Sequence, residues 1–511
     1  MVAQKQEREL MEKMNIFRRI ILPLLLGVPG TFFWFLPGFP VTDDGDWMII
    51  RLSAFYETLR GGELPVRFVA RLMNGYGYPV ADFLYPLYLY AGSFLHIFGL
   101  SFVIIVKLLF VASFLLSGLF CFLWLEKRFS FVVSLIGSLF YLYFPYHLTD
   151  LNQRGSLGEM LSLAIVPFIL WSIERKSIWW ISIGIALLLL AHNTLALLFL
   201  PCVFVYGLLT YRTWNTVILP FIFGIGMAMF FILPALLDQK FTQFGTTAVA
   251  DAPAFVISSI ELIGILLLAV FGYWLCVKKN AYIPLVWIGI SVLICVLMWS
   301  GSSSLWTQHL LLKYVQFPMR FLSILIMSVT FVSAYVLHWL PKKLHISVLI
   351  LAVGASILVV WFYKPQAIRN LPDGFYTTNE SSTTTRNEYL PKGAHILSHD
   401  AMPDVSIATG AATIDNFVSR GNSESFQVHA RQESVVVLHK YNYPGWQVHS
   451  DGNALVVRDT STGLVSFTLP QGDHMVILKM KETAIQLLSD GITCLSFVAL
   501  CVYTMVRRKN V

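Results

Sequence analysis

Apolar runs of about 20 residues, long enough to cross a bilayer as helices, recur along most of this chain, with short polar breaks between them. Their spacing predicts spanning helices near 17–37, 103–124, 130–146, 158–174, 178–192, 193–211, 216–236, 254–276, 282–300, 318–338, 344–362 and 486–506. Basic clusters set the orientation. "EKR" 126–128, "ERK" 174–176, "YR" 211–212, "KK" 278–279, "KK" 342–343 and "RRK" 507–509 fall on alternate breaks. Positively charged loops stay on the cytoplasmic side, so both termini are expected there. The stretch "YPVADFLYPLYLYAGSFLHIFGL" (78–100) is apolar, yet counting it as a span would put "EKR" outside. Its prolines and tyrosines suit an interfacial helix on the outer surface.

The pattern changes at residue 363. Ser- and Thr-rich sequence ("TTNESSTTTRNEY") gives way to alternating stretches, "SVVVLHKY", "NALVVRD", "LVSFTLP" and "HMVILKM", punctuated by "DG" and "QGD". Period-2 alternation between turn signals predicts an antiparallel β-domain. The expected fold is a polytopic α-helical membrane protein of about 12 transmembrane helices, with an extracytoplasmic β-rich domain before the last helix. Its parts are a transmembrane domain at 1–362 with a first outer loop at 38–102, a β-rich domain at 363–484, and a final helix and cytoplasmic tail at 485–511.

Composition removes the soluble alternative. Of 511 residues, 56% are hydrophobic and 13% charged, against about a quarter charged in soluble domains. The net charge of +7 sits in short clusters between apolar runs, as topology signals do, and gives no reason to expect nucleic acid. All six cysteines, Cys121, Cys202, Cys276, Cys295, Cys494 and Cys501, lie in apolar runs. Neither a disulfide framework nor a zinc site follows from that spacing. The opening "MVAQKQERELMEKMNIFRR" is too long and too charged for the start of a cleaved signal peptide, and is expected to remain as a cytoplasmic tail.

Ionisable groups at membrane depth are costly, so their placement is informative. Between 101 and 362 the acids are Glu126, Asp150, Glu159, Glu174, Asp238, Asp251 and Glu261. Glu126 and Glu174 stand beside cytoplasmic basic residues. The other five are expected at or near the outer side, together with Lys107, His147, Arg154, His192, His309 and Arg320. An ion-driven transporter needs acids near the midplane. Polar chemistry gathered at one leaflet suits an enzyme acting on a lipid headgroup.

Five stretches carry that chemistry. "TDDGDW" (42–47) holds Asp43, Asp44 and Asp46 beside Trp47, directly after the first span. A carboxylate there can serve as general base or metal ligand, although a solvated Asp-Gly turn is the simpler account of an isolated acidic triplet. "GGELPVRF" and the tyrosines up to 90 form either an irregular loop or a floor for a sugar and a polyprenyl chain. "HLTDLNQRGSLGEM" (147–160) brings Asp150, Arg154 and Glu159, as an internal ion pair or a second catalytic carboxylate. "LLAHNTLAL" (189–197) sets His192 at an outer turn, where it can also simply bond a carbonyl. "YVQFPMRFL" (314–322) puts Arg320 where a lipid phosphate needs a fixed cation, or where an arginine merely snorkels.

The acidic motif after the first helix, the interfacial helix and the polar outer loops resemble the GT-C superfamily of polyprenyl-phosphate-dependent glycosyltransferases. More closely, "GYGYPVADFLYPL", "RGSLGEM", "AHNT", "QFPMRFL", "NEYLP" and "YNYPGWQVHSDG" resemble bacterial membrane proteins of the YfhO-like group. The resemblance implies a GT-C-like membrane domain in a bacterial cell membrane. It also implies a polyprenyl-phosphate-linked sugar as donor and a cell-envelope glycopolymer or lipid as acceptor. Asp44, or its neighbour Asp43, would then be the general base, Arg320 would hold the donor phosphate, and Asp46, Trp47, Arg154, Glu159 and His192 would line the pocket. Some relatives carry a histidine shortly after the first acid, where this chain has Met48. That leaves open which aspartate works and whether a divalent metal, magnesium or manganese, is held. A lipid or polysaccharide transporter and a non-catalytic assembly scaffold are the alternatives.

Overall fold

Fifteen helices of nine or more residues build the membrane domain and its outer layer among the described residues. They are α1 (Phe17–Phe35), α2 (Gly45–Arg60), α3 (Leu87–His96), α4 (Phe102–Leu125), α5 (Phe131–Leu142), α6 (Leu157–Glu174), α7 (Ile178–Ala191), α8 (Asn193–Tyr211), α9 (Asn215–Met227), α10 (Met229–Leu237), α11 (Ser259–Lys279), α12 (Tyr282–Met298), α13 (Phe321–Trp339), α14 (Lys342–Phe362) and α15 (Ala484–Lys509). The computed structural model describes residues 17–211, 213–244, 259–302, 306, 315, 317–398 and 404–509. The N-terminal tail before Phe17, Asp251, His309 and the side chain of Glu261 lie outside the described residues.

Eight of the described helices are long and apolar enough to cross a membrane, and ten spans result if each of two bent pairs counts as one. α5 with Pro145–Arg154 is bent by 50°, and Thr216–Met227 with Met229–Phe241 by 70°. The helices α7 and α12 are apolar but shorter, and with them the twelve expected positions are all occupied. Both bends have local causes. Phe144 precedes Pro145 and is extended, as a residue before proline prefers. At the second bend, the Phe230 N–H donates to the Thr493 hydroxyl of α15 at 2.8 Å. In an apolar setting a freed backbone donor must find such a partner.

The charged side chains separate into two layers. At one end Arg19 meets Glu126 at 3.0 Å and Arg128 meets Glu174 at 2.6 Å, and Arg507 of α15 lies close to Tyr211. Both ends of the described chain therefore sit in one layer. Glu159 begins the same helix that Glu174 ends, about 22 Å away by helical rise, and belongs to the other layer.

That second layer is more integrated than a loop plus an appended domain. Strand β1 (Phe39–Pro40) pairs antiparallel with β2 (Ile368–Arg369). Asn74 N–H donates to the Glu380 carbonyl at 2.7 Å, and Arg51 is held by Thr383. Residues 363–398 thus form a strap across the first outer loop, and the β-domain proper begins at Val405, later than the expected 363. The interfacial stretch 78–100 is divided, with a short turn at Val80–Phe83 and then α3.

The β-domain is an antiparallel sandwich. One sheet has the order β3 (Val405–Thr409), β6 (Ser434–Tyr441), β10 (Leu464–Leu469), β9 (Arg458–Asp459). The other has the order β4 (Ala412–Arg420), β5 (Ser423–Ala430), β11 (Gly472–Met480), β7 (Trp446–Ser450), β8 (Asn453–Leu455). Alternate residues point inward. Phe426, Val428, Val436, Leu438, Val465, Phe467, Val476 and Leu478 are fully buried in one cluster.

Four elements meet at the junction with the last helix. Asp82 is buried and ion-paired with Arg67 at 3.3 Å, and Arg67 also reaches Asp490 at 3.0 Å and Glu482 at 3.4 Å. Tyr443 of the β-domain donates to Asp82 at 3.0 Å, and Gln486 does so at 3.4 Å. Burial pushes the Asp82 carboxyl up to about 6 against the pull of Arg67. A hydrogen bond to a charged group contributes about 1.5–3 kcal/mol. Tyr443→Phe is expected to lose about that much stability, read as a lower thermal midpoint of the purified full chain. An unchanged midpoint would show that Asp82 does not depend on this contact.

Candidate functional site

The acidic loop is pinned from behind. Asp43 N–H donates to the Gln153 carbonyl at 2.9 Å and Asp44 N–H to the Arg154 carbonyl at 2.8 Å. The Thr42 hydroxyl accepts the Gly45 N–H at 3.1 Å, at the start of α2. An Asp in the position of Asp44 ordinarily caps its own helix. Its side chain makes no capping bond here, and no hydrogen bond or ion pair to it occurs among the described residues. The carboxylate is left free for other work. Burial raises its pKa, against the opposing pull of Arg51 and Arg154.

The opposing loop explains "RGSLGEM" residue by residue. Gly155 has φ +65°, and a Cβ there would lie 2.1 Å from the Thr42 hydroxyl and 3.1 Å from the Gly45 nitrogen. Only glycine allows the two loops to approach so closely. Gly158 is equally constrained, since its Cβ would sit 2.5 Å from the Tyr85 ring and 2.6 Å from the Ala191 carbonyl oxygen. Arg154 and Glu159 then form the centre.

Glu159, at the first turn of α6, is fully buried. Both its oxygens accept from Arg154, each at 2.9 Å. Arg320 Nε donates to Oε1 at 3.0 Å, and the Tyr146 hydroxyl donates to Oε2 at 2.5 Å. Arg154 also bonds Asp150. His192 Nε2 stands 3.8 Å from Glu159 Oε1, while its Nδ1 accepts the Leu195 N–H at 3.3 Å. Arg320 donates in addition to the Val315 carbonyl at 2.8 Å. Arg154 and Arg320 thus share two carboxylates, Glu159 and Asp150.

An aromatic wall joins the two halves. Tyr85 stacks on His192 with centroids 4.8 Å apart. Its ring lies within electrostatic reach of Arg51, Asp44, Arg320 and Glu159, and burial raises its pKa. Arg51 follows Asp44 by about two turns of α2, on the same face. It is 7% exposed, donates from Nε to the Thr383 hydroxyl at 3.0 Å and lies 5.8 Å from the Trp47 ring centroid. Its Nη1 meets the Met48 sulfur at 4.0 Å, a weak acceptor. Tyr88 is buried beside it.

Asp44, Arg154, Glu159, His192 and Arg320 are thus gathered at one place from four separate stretches. Asp43 is exposed at the rim and Trp47 is half-buried on α2. Asp46 departs from its expected place as a pocket residue. Arg369 of the strap holds its carboxylate, with the Tyr376 hydroxyl at 3.3 Å, because α2 turns Asp46 away from Asp44 and toward the strap. Asp150, read from sequence as an ion-pair partner or second carboxylate, is the ion-pair partner of Arg154, and Arg51 completes the site without having been assigned to it from sequence. Arg51 stood within "TDDGDWMIIR", and its spacing from Asp44 was the available signal. Among the described residues, no group of three or more His, Cys, Asp or Glu side chains has metal-binding geometry. The donor set for magnesium or manganese is not assembled among the described residues.

No protein-family model and no curated protein matches the chain. Among solved structures it is similar to the arabinofuranosyltransferase AftD from Mycobacteria, at 14% identity and a TM-score of 0.46, over 70% of this chain and 28% of that one. A mutant form of AftD gives 13% identity and a TM-score of 0.43, over 68% of this chain and 28% of that one. What the residues build is a multi-pass helical membrane protein with a β-sandwich before its last helix, spanning little more than a quarter of the length of the AftD chains it matches.

Proposed function

We propose that this chain is a membrane glycosyltransferase of GT-C type, related to the YfhO-like group. It moves a sugar from a polyprenyl-phosphate donor to a hydroxyl of a cell-envelope glycopolymer or lipid, on the outer face of a bacterial cell membrane. The observation that carries this reading is the free, partly desolvated carboxylate of Asp44 beside a layer with three buried arginines, Arg51, Arg154 and Arg320. Such a pairing of one base with fixed cations suits the displacement of a phosphate leaving group.

The acceptor hydroxyl gives its proton to Asp44 as its oxygen attacks the anomeric carbon. The bond from that carbon to the lipid phosphate oxygen breaks, and the configuration inverts in a single displacement. The leaving phosphate is stabilised by Arg320, which Glu159 orients, and by Arg51 on the other side of Tyr85. His192 supports the Tyr85 ring, which forms the wall against which sugar and polyprenyl chain are placed. The two charged layers support an outer site with both termini cytoplasmic, because the basic clusters of the sequence fall at the opposite end.

A pH dependence follows. Catalysis needs Asp44 ionised, and burial raises its pKa. Activity is therefore lost as pH falls through that raised value, which lies above the roughly 3.9 of a free aspartate. The rate of donor consumption against pH should show a single-proton acid limb above the value of a free aspartate. A limb at or below the free value would remove Asp44 as the base. The direct test is turnover of radiolabelled undecaprenyl-phosphate sugars by wild type, Asp44→Asn and Arg320→Ala. Donor consumption by wild type alone supports the reading. Failure of the wild type with every donor and envelope extract would favour the scaffold.

A further inference from the structure

A groove of about 310 Å³ opens in the other charged layer, the one that holds both ends of the described chain. The turn between α4 and α5 gives it Arg128 and Phe129, the start of α12 gives Tyr282, and the end of α13 gives His338 and Trp339. Arg128 pairs with Glu174, about 22 Å along α6 from Glu159 by helical rise, so the groove is distinct from the site described above. Tyr282 is 44% and Trp339 42% exposed, which leaves it open at the surface of the helix bundle.

Its chemistry is apolar on the walls and cationic at the edges. Phe129 packs against Phe331 with centroids 5.5 Å apart and against His338 at 5.8 Å. Arg128 Nε donates to Glu174 at 2.6 Å and to the Tyr206 hydroxyl at 3.0 Å, and Nη2 reaches the Thr210 hydroxyl at 3.4 Å. Nη1 makes no hydrogen bond among the described residues, and the side chain is 24% exposed. That edge of the guanidinium is therefore open to a ligand. The Lys279 ammonium stands 3.9 Å from the centroid of the Trp339 ring, held by the ring face while keeping its three donors. Lys342 is a charged neighbour of His338. Neither lysine has an ion pair or hydrogen bond among the described residues, and no acid lines the groove. Glu174, behind Arg128, offsets one of the three cations and leaves the other two.

A ligand that suits this place carries an anion, offers apolar surface beside it, and sits where spanning helices end. Basic pockets between spanning helices take anionic lipid headgroups for these reasons. A soluble phosphate meets the cations but leaves the aromatic walls unused. We infer that this groove seats the headgroup of an anionic phospholipid, its phosphate drawn by Arg128, Lys279 and Lys342 and its glycerol and first acyl carbons lying along Phe129, Phe331 and Trp339. The inference is independent of the transferase reading. One bound lipid ties the α4–α5 turn, α12 and α13 together, and α13 is the helix that begins directly after Arg320.

The test is native mass spectrometry of the full chain, delipidated in a neutral detergent and titrated with phosphatidylglycerol, phosphatidylcholine or glycerol phosphate. Phosphatidylglycerol is expected to bind as one tight copy, about tenfold or more tighter than phosphatidylcholine, and glycerol phosphate should not displace it. Lys279→Ala and Lys342→Ala, both at exposed positions, should each weaken that binding about fivefold. Ala281→Trp fills the groove without touching a charge and should abolish the preference. Arg175→Ala, in the same layer but off the groove, should bind as wild type does. Thermal midpoints without lipid report whether each variant is folded, and no measurement depends on transfer. The inference is overturned if phosphatidylcholine binds as tightly, if glycerol phosphate competes equally and the site is one for a free anion, or if the folded lysine variants bind unchanged.

Discussion

Replacing Asp44 with asparagine is expected to lower the transfer rate by about 10²- to 10⁴-fold, the usual contribution of a positioned general base, while the protein's thermal midpoint stays level or rises. The two halves of that expectation come from one observation. The Asp44 side chain does not cap α2, and its pKa is raised because burial costs more than Arg51 and Arg154 return. A carboxylate held in that state is a burden on stability, so a neutral side chain of the same shape relieves strain while removing the base. Residues placed for chemistry commonly show this trade. The backbone bonds of Asp43 and Asp44 to the loop before α6 are unaffected, because they use main-chain atoms. Thermal unfolding and single-turnover transfer measured on the same preparation decide the matter. A large fall in the midpoint would make Asp44 structural, and full activity of Asp44→Asn would pass the role of base to Asp43 at the rim.

Glu159→Ala should behave in the opposite way, costing about 3–5 kcal/mol of stability, the penalty for breaking a buried ion pair by removing one partner. Glu159 is the carboxylate on which Arg154, Arg320 and Tyr146 converge. Without it, two buried guanidinium groups are left with Asp150, paired to Arg154, and the more distant Asp44 as nearby acids. Glu159→Gln keeps an oxygen for one arginine and should lose less. If Glu159→Ala folds with a wild-type midpoint yet fails to transfer, Glu159 acts in the chemistry, and the assignment of Asp44 as sole base would have to be shared. Both variants are expected to lose activity, because Arg320 is oriented through Glu159. Their difference from Asp44→Asn lies in the midpoint, which is why the two measurements belong together.

Much of this protein was legible without coordinates, and what was legible has a common cause. Transfer of side chains between water and hydrocarbon is a local property, so twelve apolar runs, the basic clusters between them and the period-2 strands could each be read from their own residues. "SVVVLHKY" became β6 and "HMVILKM" the end of β11 because alternation is imposed by the strand itself. Residue classes confined to one membrane face were equally readable, and Asp44, Arg154, Glu159, His192 and Arg320 do meet in the second charged layer.

What the sequence left undecided depends on contacts between residues far apart in the chain. Asp43, Asp44 and Asp46 are indistinguishable as letters. Only the strap, arriving more than 300 residues later with Arg369 and Tyr376, separates Asp46 from Asp44. Arg51 looked like any helical arginine until Thr383 and the tyrosines of the first outer loop closed around it. The glycines of "RGSLGEM" had a meaning only once Thr42 and Tyr85 were seen where a Cβ would otherwise stand. Spans, strands and the polar face follow from hydropathy, which acts residue by residue. Which carboxylate is free and which arginine is spent follow from packing and charge pairing, which exist only after the chain has closed on itself.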